Sequence, residues 1–383
     1  MAVVTTQPTP SRFVALLLTL SLTTALASQG RPGGLRRAIQ RFEQAIADEH
    51  VLGAVLLVTQ GDQVLLHEAL GHRDAARQRP MKPDALFRMA SNTKAVTAAA
   101  VLTLVDEGKV GLDDPVAKWF PTFTGPRGGA VTIRQLLTHS SGLRIPTLFL
   151  QPLTQRSEQN PDAPNLVQEC ARFGEVGPAE EPGKTYSYSN PGYNLLAGVV
   201  EVVTGEPFAD YVQRRFYEPL GMVDSCHHET VADNDRMSEV VKEKDGGGWS
   251  VRWRPGGAPT LPFVRGSGGM ISTAQDYERF ARLFLDGGAR GDRRLLSVES
   301  VAAATRDQIR HIPTNRYGFG WKITTYGWSH TGSDGTFVWC SPGRDLVGMV
   351  LTQTRTTPAL TEARQQFRRD VHRAVPHLSA DRR

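Results

Sequence analysis

Cysteine is scarce in this chain: three among 383 residues, Cys170, Cys226 and Cys340, far apart and forming no CxxC. That spacing excludes a zinc ribbon or a redox dithiol, and the odd count leaves at least one thiol unpaired. A chain of this length needs no disulfide stapling, so buried unpaired thiols are the expectation. Long basic tracts are missing too. The net charge of +5 is scattered apart from short pairs such as Arg368-Arg369 and Arg382-Arg383. Without a basic tract or interleaved aromatics it makes no nucleic-acid footprint, so no nucleic-acid partner is expected. A solvated exterior explains the charge as well as association with an anionic cell envelope does. The apolar stretch near the N-terminus, residues 13–22 (FVALLLTLSL), falls short of the roughly 20 residues that span a bilayer. Preceded by Arg12 and followed by Ala25-Leu26-Ala27, it has the charge, core and cleavage pattern of a secretory signal. Residues 1–27 are therefore expected to be removed, leaving a secreted or periplasmic protein. No cysteine follows the stretch to carry a lipid.

What is present is an ordinary globular composition, 40% hydrophobic and 22% charged, in a chain long enough for one sizeable core or two smaller ones. Residues 35–46 repeat apolar side chains at helical spacing, and 54–59 with 63–67 read as two strands joined at Gly61-Asp62. Toward the other end, 336–341 and 346–352 form a second hairpin across Pro342-Gly343-Arg344-Asp345, and 360–375 is again helical in pattern. Between them, 94–107, 133–138, 193–203 and 208–216 are helix-like, whereas 122–130, 151–164 and 245–259 are rich in Gly, Pro and polar residues and read as loops. The expected fold is α/β (α+β): an antiparallel sheet flanked by terminal helices, with an inserted, mostly helical domain. The sheet domain takes residues 35–90 and 260–375, the helical insert 91–259, and 376–383 form a polar tail. The run Gly246-Gly247-Gly248 reads as a loop and not a phosphate cradle, because no strand is predicted before it and no GK[ST] follows.

Ser91-Asn92-Thr93-Lys94 stands directly before the apolar run 95–105, which closes at Gly108, a helix C-cap signal. Ser91 is thus at a helix start, where residues three apart share a face and Lys94 can reach its hydroxyl. A serine hydroxyl is a poor nucleophile without such a neighbour, and the N-terminal dipole favours developing negative charge. Capping preference alone also produces SxxK. Two further triplets change the reading: Tyr188-Ser189-Asn190 before a predicted helix, and His330-Thr331-Gly332 before the strand 336–341. By contrast, Cys226-His227-His228-Glu229 is not read as a metal site, since adjacent side chains rarely converge on one ion. His139 reads as a loop-packing residue.

SxxK, YSN and HTG together resemble the set that marks the class C β-lactamase, DD-peptidase and related esterase superfamily. The stretches LDDPVAKWFP (112–121), TIRQLLTHSSGL (132–143), EPGKTYSYSNPGYNLLAGVVE (181–201), EPLGM (218–222) and GSGGMISTAQDYERF (266–280) are similar to the same family in the same order. The resemblance implies a serine hydrolase that forms an acyl-enzyme on Ser91. Lys94, or Tyr188 as a phenolate supported by Lys94, would accept the proton. Asn190 would hold a substrate carbonyl and the lysine, and Thr331 and Gly332 would lie along the substrate. The backbone N–H groups of Ser91 and Ser333 would form the oxyanion hole. No metal or organic cofactor is implied, and the substrate would be a small-molecule ester, peptide or β-lactam. His330 stands where many β-lactamases of this type carry Lys. A histidine is mostly neutral at pH 7, which weakens the β-lactamase reading relative to esterase or peptidase. It also predicts a preference for neutral esters above pH 7 that narrows as His330 protonates. A β-lactamase, a D-Ala-D-Ala carboxypeptidase and a catalytically idle peptidoglycan- or partner-binding module remain as alternatives. The oligomeric state is not legible.

Overall fold

The computed structural model describes residues 33–145, 157–158, 161–229, 232–259 and 261–377. The expected signal, most of the 151–164 loop and the end of the tail lie outside those residues. In the central strands, side-chain alternation sorts the sequence into two cores. Val55, Leu57, Val338, Cys340, Val347, Met349 and Leu351 face one core; Ala54, Leu56, Val58, Phe337, Trp339, Leu346 and Val350 face the other. Because both faces are covered, these strands read as nearly continuous apolar runs. The six strands run in the order Lys322–Thr324, Gly327–Thr331, Phe337–Ser341, Leu346–Thr352, Gly53–Gln60, Gln63–Gly71, and every pairing is antiparallel.

The helices Gly33–Ala47 and Pro358–Ala374 cover one face. Leu35, Phe42, Leu360, Phe367 and Val371 pack there against Trp339, with the Phe42 and Phe367 rings edge to face at 6.0 Å. Gly348 is paired with Trp339. A Cβ at Gly348 would lie 2.0 Å from the indole, so the missing side chain is what seats the tryptophan. On the opposite face lie helix Ala274–Leu285 and helix Thr93–Asp106. The latter is buried from Thr93 to Leu104, as a helix apolar all round should be.

Several local expectations change. Ser91 lies in a single tight turn, Ala90–Asn92, ahead of helix Thr93–Asp106. His330 and Thr331 end their own strand, Gly327–Thr331, instead of merely preceding the next one. The supposed loop 245–259 contains strand Trp249–Trp253, antiparallel to Val240–Glu243. A strand therefore does lead into Gly246-Gly247-Gly248, which turns the hairpin with φ of +93°, +96° and +77°. The hairpin's Val, Ser and Trp content was masked by the glycines and prolines around it. It is docked by Val241 N–H to the Gln353 carbonyl and Arg355 N–H to the Val241 carbonyl, both 2.8 Å. Cys170, Cys226 and Cys340 are all free. Among the described residues no helix is long and apolar enough to cross a membrane.

Candidate active site

The turn that carries Ser91 is strained and then held. Ala90 has φ +47°, a left-handed conformation that costs a residue with a Cβ about 1–3 kcal/mol. Thr93 Oγ1 donates to the Ala90 carbonyl at 2.7 Å and accepts from Met270 N–H at 3.1 Å. Tyr277 donates to the Asn92 carbonyl at 2.8 Å. Asn92 Nδ2 donates to Thr336 Oγ1 at 2.7 Å, and that hydroxyl donates to the Met89 carbonyl at 3.0 Å. These bonds tie the nucleophile turn to the end of the sheet. At Gly332 a Cβ would fall 2.2 Å from Thr336 Oγ1 and 2.7 Å from the Met89 carbonyl oxygen. Only glycine lets the strand end pass so close, bringing Ser333 into the same cleft as Ser91.

Lys94 is fully buried. Its Nζ lies 3.1 Å from Ser91 Oγ, 2.8 Å from Asn190 Oδ1 and 2.8 Å from the Ser267 carbonyl. Burial, with Arg265 as a nearby like charge, holds its pKa well below the ordinary lysine value. Two of its partners can only accept, so they engage two N–H bonds and leave the third direction for Ser91. In the neutral amine that direction is a lone pair, able to accept the Ser91 O–H. Asn190 opens helix Asn190–Thr204, capped by Ser189 Oγ, which accepts from Gly192 N–H at 3.1 Å.

Tyr188 hydrogen-bonds Ser91, and Lys94 Nζ sits 4.8 Å from the centre of its ring. The residue as a whole is 45% exposed. Its phenol is nevertheless pushed well up by desolvation, only partly offset by the Ser91 hydrogen bond. That favours a protonated Tyr188 at neutral pH and speaks against the phenolate. His139 packs its ring against Tyr188 at 4.3 Å and Tyr317 at 4.8 Å, while its Nδ1 accepts from Ser189 N–H at 3.0 Å. It braces the tyrosine from behind.

His330 corrects the sequence reading. It is buried, with Nδ1 donating to the Thr331 carbonyl at 3.0 Å, so Nε2 accepts from the Tyr317 hydroxyl at 2.9 Å. Burial above all pushes its pKa down to about 3. It stays neutral across the physiological range and cannot supply a pH-dependent charge near neutrality. With Tyr188 and Thr331 it lines a neighbouring pocket of about 320 Å³.

Ser91, Asn190, Ser267 and Ser333 line a cleft of about 410 Å³. Its other walls were not legible from motifs. Arg88 pairs with Glu229 at 3.2 Å and Asp334 at 3.5 Å, and its guanidinium lies 4.8 Å from the Trp253 ring centre. Arg265 reaches the same Glu229 at 3.6 Å. Glu229, from the run set aside as a metal cluster, thus serves as counter-charge to two arginines. His227 bonds the Tyr217 hydroxyl at 3.0 Å. Among the described residues no three His, Cys, Asp or Glu side chains are placed to hold a metal. Asn92 and Thr336 were also missed. The only signal for Asn92 was its place inside SxxK, and for Thr336 its place at the start of the strand expected after HTG.

A family profile described as Beta-lactamase matches residues 38–373. Esterase EstB of Burkholderia gladioli is 33% identical over 305 residues, 73% of this chain and 76% of that protein. Penicillin-binding protein 4 of Amycolatopsis lactamdurans is 30% identical over 336 residues, 82% and 84% of the respective chains. Among solved structures, the D-amino acid amidase of Ochrobactrum anthropi SV3 complexed with D-phenylalanine superposes with a TM-score of 0.70 at 25% identity, covering 88% of this chain and 99% of that one.

Proposed function

This chain belongs to the Beta-lactamase family and is a serine hydrolase, and from that premise we propose that it is an exported enzyme cleaving an ester or amide through an acyl-enzyme on Ser91. Ser91 Oγ attacks the substrate carbonyl carbon while its proton passes to the amine of Lys94. The N–H groups of Ser91 and Ser333 receive the oxyanion, a role in which one donor contributes about 10²–10³-fold in kcat. Tyr188, protonated and bonded to Ser91, passes its proton to the leaving group as the C–O or C–N bond breaks and is reprotonated from the Lys94 ammonium, which returns the lysine to its neutral amine. Asn190 Nδ2 steadies the substrate carbonyl while Oδ1 holds Lys94. Water then attacks the acyl-enzyme, the lysine amine again taking the proton, and Ser91 leaves with it restored.

The observation that carries this reading is the fully buried lysine with a depressed pKa at 3.1 Å from the serine hydroxyl. An ester substrate is favoured by the likeness to Esterase EstB and by a neutral His330, which offers a carboxylate no cation at the HTG strand. The test is labelling with a fluorophosphonate: one adduct on Ser91, lost together with ester turnover in Ser91→Ala. An adduct mapped elsewhere contradicts the assignment. Export rests on the segment from Arg12 to Ala27. Secreted material is expected to begin at or near Ser28; a membrane-bound product that retains residues 1–27 contradicts it.

A further inference from the structure

Arg88, Arg252, Arg265 and Arg355 all line the active-site cleft, and among the described residues only two of them are paired with acids. Arg88 and Arg265 answer to Glu229 and Asp334. Arg252 and Arg355 line the same cleft as Ser91, and among the described residues neither guanidinium has an acidic or hydrogen-bonding partner. They come from segments far apart in sequence that the fold joins. Arg252 lies in strand Trp249–Trp253 of the inserted hairpin, and Arg355 follows the sheet strand Leu346–Thr352. The parallel bridge Val241 to Thr354, with the 2.8 Å bond from Arg355 N–H to the Val241 carbonyl, fixes the hairpin against that segment. Guanidinium groups are always charged and match a carboxylate in a bidentate fork. Both are solvent-exposed in the open cleft, so a ligand can reach them.

We propose that Arg252 and Arg355 form an anion subsite, and that the preferred substrate is an ester or amide carrying a carboxylate away from the scissile carbonyl. This rests on the hydrolase reading above and deepens it. Recognition of negative charge is thereby moved from His330, which is neutral, to the arginines of the inserted hairpin and of the segment after strand Leu346–Thr352. The subsite explains why an uncompensated pair of cations is kept beside the nucleophile. It also makes the junction of the hairpin with the segment after strand Leu346–Thr352, and not the three motifs, the place that selects the substrate.

The test compares 4-nitrophenyl hexanoate with mono-4-nitrophenyl adipate, of equal chain length but with a terminal carboxylate, on the full mature chain. The wild-type protein is expected to prefer the adipate. In Arg252→Gln/Arg355→Gln the adipate-to-hexanoate ratio of kcat/KM should fall about 10- to 100-fold, the range for a lost charge-assisted bond. Raising the salt from about 0.05 to about 1 M should erode the wild-type ratio and leave the variant's ratio flat. Arg252→Lys/Arg355→Lys should restore part of the preference. A ratio that the Gln substitutions leave unchanged overturns the proposal while the hydrolase reading stands. If neither ester is turned over and Ser91 takes no fluorophosphonate, the hydrolase reading falls and the subsite falls with it.

Discussion

Lys94 keeps three polar neighbours in a place that water does not reach, and desolvation penalises its charged form. That is what converts a common helix-start pair into a nucleophile with its base. His330 is the same physics applied to a different group: burial forces it neutral, its pKa falling from 6.5 to about 3. From pH 5.5 to 8.5 it therefore carries no charge, and the arginines that face the cleft carry theirs throughout. The adipate-to-hexanoate ratio is expected to be flat over that range in wild type and in His330→Asn. A step near pH 6.5 that the substitution abolishes would show that His330 reads substrate charge after all. The Ser91–Lys94 contact was legible because helix geometry brings positions three apart together whatever surrounds them. The charge state of His330 was not legible, because it is set chiefly by burial, which only the folded chain supplies.

Between elements, Thr336 is the joint. Its hydroxyl accepts from Asn92 and donates to Met89, binding the Ser91 turn to the segment after Gly332. Thr336→Val keeps the volume and removes both bonds, each contributing about 0.5–1.5 kcal/mol, and leaves Asn92 Nδ2 and the Met89 carbonyl only the bonds between Asn92 and Met89. A lower Tm together with a fall of about tenfold or more in kcat/KM is expected, with Thr336→Ser close to wild type. Equal activity and Tm in the Val variant would mean that the turn is held by its other contacts alone. The terminal hairpins and helices were read correctly in kind because their apolar periods are long and regular. The inserted hairpin was missed because strands of four and five residues about a glycine turn carry too little pattern, and its place against the sheet depends on a pairing remote in sequence.

Across the whole molecule, buried neutral histidines set the acid limit. His227 and His330 are pushed to about 3, His372 to about 4, and His139 well below its ordinary value, each chiefly by burial. The unfolded chain protonates these groups below about pH 6.5 while the native state does not, so protons favour unfolding and stability falls as pH drops from about 7 to about 4, by up to about 1.4 kcal/mol per pH unit for each group. Glu169, raised to about 7 by burial, opposes this in the same window, as do Glu201, Asp276 and Asp286, which burial also raises, while His67, lowered by burial, adds to the histidines. Tm should therefore decline between pH 7 and pH 5; a flat or rising Tm would mean that these histidines are hydrated or paired in solution. The function of the molecule depends most on the neutral amine at Lys94. Its most direct measurement is the rate of fluorophosphonate labelling at Ser91 against pH, in wild type and in Lys94→Met. A buried neutral lysine predicts a rate that reaches its plateau well below the range in which an ordinary lysine titrates and is lowered by about 10²-fold or more in the variant; a rate that keeps climbing to about pH 10, as an ordinary lysine would give, or one that the variant leaves intact, would contradict it.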